Sequence, residues 1–314
     1  MKNPRAVLFD WGIKFIGIVL LIVLLRKIEL SVVFSVLRQF RWTDIILIEL
    51  ISGLVIITKA LRFKILAGRY AIPMDLKTST IIYGSSMFFS TITPGRIGDF
   101  IKVLYLKNSY GSSLRKGIYL SVVDRLFDLL TIALFAVFGL TLIFTVREIL
   151  FWLLSGLVFI LLVSICVKKY LVRLIPQCIA WLGQRFKVDP GNIALSQLLS
   201  ARLILPALFS LIPNGLIFIQ MIWIAAISQV ALQPLTVIGV LALGNLISML
   251  PITISGLGTR DATFVFLLGQ RGITATLALT LSLAFFLFNN LGILVLSFLL
   301  FITFKPKIQA DTFA

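Results

Sequence analysis

Residues 90–107 read STITPGRIGDFIKVLYLK, and the fold turns on how this stretch meets a membrane. The run before it, residues 80–89 (TIIYGSSMFF), is apolar and rich in small residues. It is too short to cross a bilayer, which takes about 20 predominantly apolar residues. Thr93-Pro94-Gly95 then interrupts the helix, because proline has no amide donor and restricts the residue before it, while glycine accepts turn geometry. Backbone groups freed at membrane depth survive only where protein or a wet cavity surrounds them. Arg96, Gly98 and Asp99 follow at once, and apolar sequence resumes at Phe100. A helical hairpin that enters the membrane and returns, turning on PGRIGD, accounts for the whole pattern.

The remainder of the chain sets this hairpin in a polytopic membrane protein. Its 314 residues are 60% hydrophobic and 13% charged, against about 25% charged in a soluble domain, and the mean hydropathy is +1.09. A formal charge of +17, carried largely on short connections beside apolar runs, points to an anionic membrane leaflet rather than to nucleic acid. Histidine is absent, which removes imidazole acid–base chemistry and most zinc or haem ligation. The two cysteines, Cys166 and Cys178, have no metal-ligand spacing and read as free thiols. No cofactor is expected. Without a GxxxxGK[ST] loop, direct ATP drive is not expected either.

Taken in order, the sequence predicts a first crossing over residues 7–25 and an interfacial helix over 30–40. A second crossing is expected over 44–61. The basic cluster Lys59, Arg62, Lys64, Arg69 and Lys77 marks a cytoplasmic side. Crossings are expected over 117–144, 149–167, 203–230 (with kinks at Pro206 and Pro213) and 274–304, and a second broken segment begins at Leu235. The expectation is an all-α protein of about six transmembrane helices and two re-entrant hairpins in one membrane domain, residues 1–314, multi-pass in the inner cell membrane with both termini cytoplasmic. Thr91-Ile92-Thr93 precedes Asp99 at the spacing by which Thr253-Ile254-Ser255 precedes Asp261, and arginine and glycines flank both acids. Hairpins entering from opposite sides form an inverted repeat with a transport site near the midplane, its halves falling at about 44–167 and 203–304.

Five acids fall at membrane depth: Glu49, Asp99, Asp124, Asp128 and Asp261. A charge at a helix centre costs about 2.5–3.5 kcal/mol on insertion scales, so such groups face each other, a cavity or a substrate. Arg125 and Asp128, three apart on a helix, are placed to pair, and Asp124 shares their face. Arg96 and Asp99 follow a turn whose free amides favour an anion, and Arg260 and Asp261 repeat that logic. Glu49 stands alone and reads as a protonated or hydrogen-bonded helix contact. Asn245, Asn289 and Asn290 read as interhelical hydrogen bonders.

Three motifs in this order, TPGRIGDFIKVLYL, VVDRLFDLLTI and PITISGLGTRDATFVFLL, make the chain resemble the flippase-like family related to the transmembrane region of lysylphosphatidylglycerol synthases. The resemblance implies paired re-entrant helices and movement of lipid between leaflets. It assigns Pro94, Gly95 and Gly98, and later Gly256 and Gly258, to structural turns. Arg96 and Asp99 correspond to its first motif, Asp124, Arg125 and Asp128 to its second, and Arg260 and Asp261 to its third, and these seven are the residues expected to bind substrate. The soluble aminoacyl-transferase domain of the bifunctional synthases has no counterpart in this sequence, so lipid aminoacylation by this chain is not expected.

The leading expectation is a lipid flippase or lipid-linked transporter, not an enzyme. Arg96, Arg125 and Arg260 would hold a phosphate, the acids would balance them or hold a cationic head, and protonation of Asp99 or Asp261 is a candidate coupling step. The expected partner is a membrane lipid with an anionic or zwitterionic head group, and a second copy of the chain or a separate lipid-modifying enzyme is a further candidate. The alternatives are an integral-membrane transferase acting on a polyprenyl or phospholipid substrate, with Asp124 and Asp128 on a divalent metal, and a membrane partner of a separate lipid synthase.

Overall fold

The structure, a computed structural model, describes residues 30–145, 147, 203–230, 232–249, 253 and 255–303. The expected crossings over 7–25 and 149–167, the basic segment between 168 and 202, both cysteines and both termini lie outside the described residues. What is described is helical throughout, without a strand.

A short helix α1 (Leu30–Leu37) leads to α2 (Trp42–Arg69), α3 (Leu76–Ile92), a 3-10 segment (Pro94–Phe100), α4 (Ile101–Tyr110) and the long α5 (Leu114–Ile143). The later residues form α6 (Ile204–Phe209), α7 (Leu211–Ile227), α8 (Pro234–Ser248), α9 (Thr259–Gly269) and α10 (Ala275–Phe285). A π-helical turn (Phe286–Leu291) then joins α10 to α11 (Gly292–Thr303). Three stretches are long and apolar enough to cross a membrane: Leu114–Ile143, Ile204–Ile227 and Ala275–Ile302. Their outward faces carry exposed leucine, isoleucine, valine and phenylalanine, for example Leu130, Leu134, Leu208 and Val295, while serine, aspartate, lysine and arginine lie buried inside. Such an arrangement suits a lipid solvent and is the reverse of a water-soluble surface. The protein is a helical membrane protein.

The two sets of helices are punctuated alike. Ala71 and Gln229, both left-handed, end α2 and α7, and in each case the next amide reaches back to an alanine carbonyl: Ile72 to Ala67 and Val230 to Ala225, both 3.1 Å. Gly111 (φ 60°) and Gly272 (φ 75°) close α4 and α9. Each is followed by a hydroxyl cap on the next long helix, Ser113 on α5 and Thr274 on α10. At the start of α3 the Asp75 carboxylate accepts from the Thr78 amide, and its hydrogen bonds to Thr78 hold the Asp75 carboxyl below its ordinary range.

Packing crosses between the sets. Helix α5 lies along α8, and α11 lies along α3, while α2 packs on α7. Small residues permit both crossings: Gly139 of α5 meets Gly239 of α8 backbone to backbone, and Gly84 of α3 receives the side chain of Leu300. One apolar core surrounds α7–α10 and a second surrounds α2–α5.

Several expectations need correction here. The second crossing does not end at Leu61: α2 runs on to Arg69, and Lys59 and Arg62, expected in a cytoplasmic cluster, are buried within it. Carboxylates on α5 hold them there, so they do not mark a membrane face. The expected interfacial helix packs against α10, and the rings of Phe40 and Phe288 lie tilted to one another with centroids 4.4 Å apart. The crossing expected over 203–230 agrees with the single apolar stretch Ile204–Ile227, in which α6 and α7 each carry their proline, Pro206 or Pro213, at the third residue. The last expected crossing agrees with the continuous stretch Ala275–Ile302, which contains a π turn that carries Asn289 and Asn290.

Candidate functional site

The tip of the first hairpin is held by Thr93. Its hydroxyl donates to the Phe89 carbonyl (2.7 Å) and accepts the Gly98 amide (2.8 Å), bridging the break that Pro94 and Gly95 create. Gly98 lies against the Phe89 backbone so closely that a Cβ would overlap it. Arg96 between them is left-handed, φ 57°, a conformation that costs a non-glycine residue about 1–2 kcal/mol. Its guanidinium makes no hydrogen bond or ion pair among the described residues and lines a cavity of about 80 Å³.

Behind this cavity the acids and bases of the first helix set interlock. Arg62 reaches Asp124 Oδ1 through Nη2 (2.7 Å) and Asp128 Oδ1 through Nη1 (2.6 Å). Lys59 Nζ takes the other Asp128 oxygen at 2.7 Å. Lys102 Nζ bridges Asp99 (2.7 Å) and Asp124 (2.8 Å), beneath the rings of Phe63 and Tyr83. Arg125 Nε meets Asp99 at 2.7 Å, and its Nη2 donates to Ser90. The Tyr83 hydroxyl donates to Asp124 Oδ2, and Ser86 donates to Asp99 Oδ1. All six carboxylate oxygens are therefore satisfied, as buried charge requires. Four cations face three carboxylates, which leaves one positive charge uncompensated, and Arg96 supplies a second.

The second hairpin has a different interior. Ser255, Gly256 and Gly258 are all left-handed, and a Cβ on Gly256 would strike the Ser248 hydroxyl. Asp261 accepts the Gly258 amide (2.7 Å) and the Ser282 hydroxyl (2.6 Å). Arg260 donates to Asp261 (3.3 Å), Ser282 Oγ and the Ser282 carbonyl and lies near the faces of Phe285 and Phe286. This cluster closes on itself. The two hairpins meet at their tips, where Ser255 Oγ donates to the Thr91 carbonyl at 2.6 Å.

Of the residues singled out in the sequence, Arg96, Arg125 and Asp128 line the cavity. Asp99 and Asp124 stand behind them and fix their partners. Arg260 and Asp261 do not line it, although Phe285, against which Arg260 rests, does. Arg125 pairs with Asp99 rather than with its helical neighbour Asp128, which belongs to Lys59 and Arg62. Glu49 lies against Gly292 at the start of α11.

Sequence reading missed Lys59, Arg62, Lys102 and Tyr83. Lys59 and Arg62 stand three apart at the end of an apolar run, and Lys102 stands three after Asp99. Helical pairing within a hydrophobic run was the available signal. The opposite wall of the cavity is neutral and polar, built from Asn214, Asn245, Asn289, Asn290 and Ser255.

The comparison with curated proteins gives no match, and neither does the comparison with solved structures. Residues 11–297 match the family described as the lysylphosphatidylglycerol synthase TM region. With nearly its full length covered, this helical membrane chain belongs to that family.

Proposed function

We propose that the protein is a flippase that carries a phosphate-bearing lipid head group between leaflets through the cavity between its hairpins. The observation that carries this reading is the charge of the cavity wall: the buried network keeps a surplus cation, and Arg96 adds a guanidinium with no partner among the described residues. Net positive charge at membrane depth is costly unless an anion relieves it, and guanidinium groups match phosphate oxygens in pairs. At about 10–15 Å³ per enclosed water, the cavity of about 80 Å³ holds several waters or a phosphate-sized group. The crossed packing of the two helix sets and their shared punctuation support an inverted repeat with halves at about 44–167 and 203–304, each half rocking against the other. Placement in the inner cell membrane with cytoplasmic termini belongs to the same reading.

The transferase alternative asks Asp124 and Asp128 to bind a divalent metal. Each of their four oxygens already meets a cation within 2.6–2.8 Å, which favours transport. The test is reconstitution in liposomes with tail-labelled phospholipids and a membrane-impermeant quencher. Exchange above the protein-free rate, indifferent to chelator and lowered at least tenfold by Arg96→Ala, is the expected result. Chemical conversion of the lipid, dependent on divalent metal, would replace this proposal with the transferase.

A further inference from the structure

We infer that Lys59 is a direct ligand of the phosphate, shared between Asp128 and the head group, and that with Arg96 and Arg125 it completes a three-cation site. This rests on the cavity being a phosphate site, as proposed above, and adds a residue that lies outside the three sequence motifs.

The cations of the buried network fall into two layers. Arg62 and Lys102 are fully buried and do not line the cavity. Arg62 places its donors on Asp124, Asp128, Ser210 and Tyr83, and Lys102 is enclosed between Asp99 and Asp124. Lys59 and Arg125 form the other layer, and both line the cavity. Lys59 makes one bond, to Asp128, so two of its three N–H donors are unengaged among the described residues. Arg125 uses Nε on Asp99 and Nη2 on Ser90, and its Nη1 is unengaged among the described residues.

The layers overlap in what they hold. Asp128 takes Arg62 on one oxygen and Lys59 on the other, and Asp99 takes Lys102 as well as Arg125. Each carboxylate that a cavity-facing cation touches is therefore already paired from behind. Turning Lys59 toward an anion leaves Asp128 its Arg62 partner, so no buried charge is stranded. Arg62 and Lys102 lack that freedom, because Asp124 depends on both. Three cations, from α2, the hairpin tip and α5, thus face one space of about 80 Å³, where a phosphate meets charge-assisted donors on more than one side. Lys59 acts there as a point charge with rotatable donors, which suits an ion that must also be released.

The phosphate can arrive on a lipid or free in water, and the experiment separates the two. Purified full-length protein in detergent is titrated with phosphatidic acid, phosphatidylglycerol, inorganic phosphate and glycerol phosphate, with diacylglycerol as the uncharged lipid. The half-point of the thermal shift is read for each. Lys59→Gln, which keeps an N–H donor for Asp128, should raise the half-point for phosphatidic acid at least tenfold, and Lys59→Arg should recover most of that loss. Lys64→Gln removes the same charge from the same helix outside the cavity and should leave the half-point unchanged. Asp128→Asn frees Lys59 and should lower the half-point at least threefold, but only where Lys59 is present.

A half-point unmoved by Lys59→Gln, or lowered by Asp128→Asn just as much in the Lys59→Gln background, overturns the inference and leaves a phosphate site at Arg96 and Arg125 standing. So does a half-point that Asp128→Asn fails to lower in the parent, a reading that holds even where Lys59→Gln does not fold. A parent protein that shifts with no phosphate-bearing probe, or equally with diacylglycerol, overturns the phosphate reading itself. Equal shifts from inorganic phosphate and phosphatidic acid keep the role of Lys59 and move the ligand's source from the bilayer to water.

Discussion

Ser255 Oγ donates to the carbonyl of Thr91 at 2.6 Å, and through that bond the tips of the two hairpins touch. Ser255 holds a left-handed backbone there, so the contact is made against local conformational cost. Alternate opening of the two halves would break it. Ser255→Ala should lower the melting temperature by a few degrees, from a net hydrogen-bond loss of about 1 kcal/mol. It should also make a cysteine placed at Asn245 label faster with a water-soluble thiol reagent, in a chain with Cys166 and Cys178 replaced. Unchanged labelling would mean that the tip contact does not gate the cavity.

Arg96 joins backbone strain to a charge unpaired among the described residues, so two substitutions separate the two. Arg96→Gly removes both and should leave the protein as stable as the parent or more so, because glycine accepts φ 57° without the penalty of about 1–2 kcal/mol. Arg96→Ala keeps the strain. Both variants should lose at least nine-tenths of lipid exchange. A glycine variant that exchanges lipid normally would remove Arg96 from the site.

Lys102 is shared between Asp99 and Asp124 and is fully buried. Lys102→Met leaves Asp99 with Arg125 and Asp124 with Arg62 and should destabilise the protein by about 1–3 kcal/mol, the range for losing charged hydrogen bonds in a buried site. The double variant with Asp124→Asn should recover part of that loss, since contacting charges do not act additively. Thermal denaturation in detergent measures both. Additive losses would show that the bridge is not energetically shared.

Gly139 and Gly239 meet backbone to backbone. Gly239→Ala forces α5 and α8 apart and should cost about 1–3 kcal/mol, as overpacking does. Gly53→Ala, where an added Cβ meets nothing within 4 Å, is the matched control and should be neutral. Equal melting temperatures for the two variants would contradict the close crossing.

The helix breaks after Ile92 and before Thr259 were legible in the sequence because proline and glycine interrupt apolar runs at Pro94-Gly95 and around Gly256 and Gly258, and only a few backbone conformations follow from such breaks. The acids of α5 were legible as charged residues in an apolar run. Lys59 and Arg62 were not, because a basic residue at the end of an apolar run looks the same whether it reaches the lipid surface or folds back to a carboxylate on another helix. That choice is made by tertiary contacts to Asp124 and Asp128, sixty-odd residues away in the chain. The π turn at Asn289 and Asn290 left no proline or glycine signal within it. The self-contained Arg260–Asp261 cluster depends on Ser282, which nothing in its sequence neighbourhood distinguishes.

Every acid and base of the interlocked network, from Lys59 to Asp128, lies between the start of α2 and the end of α5, Asp99 on the 3-10 segment that joins α3 to α4, whereas α11, which covers α3, comes at the far end of the described chain. Every carboxylate of the network therefore finds its cations within one contiguous stretch of chain, and that pairing asks nothing of residues translated later. The groove at Gly84, by contrast, is filled by Leu300 from the far end of the described chain.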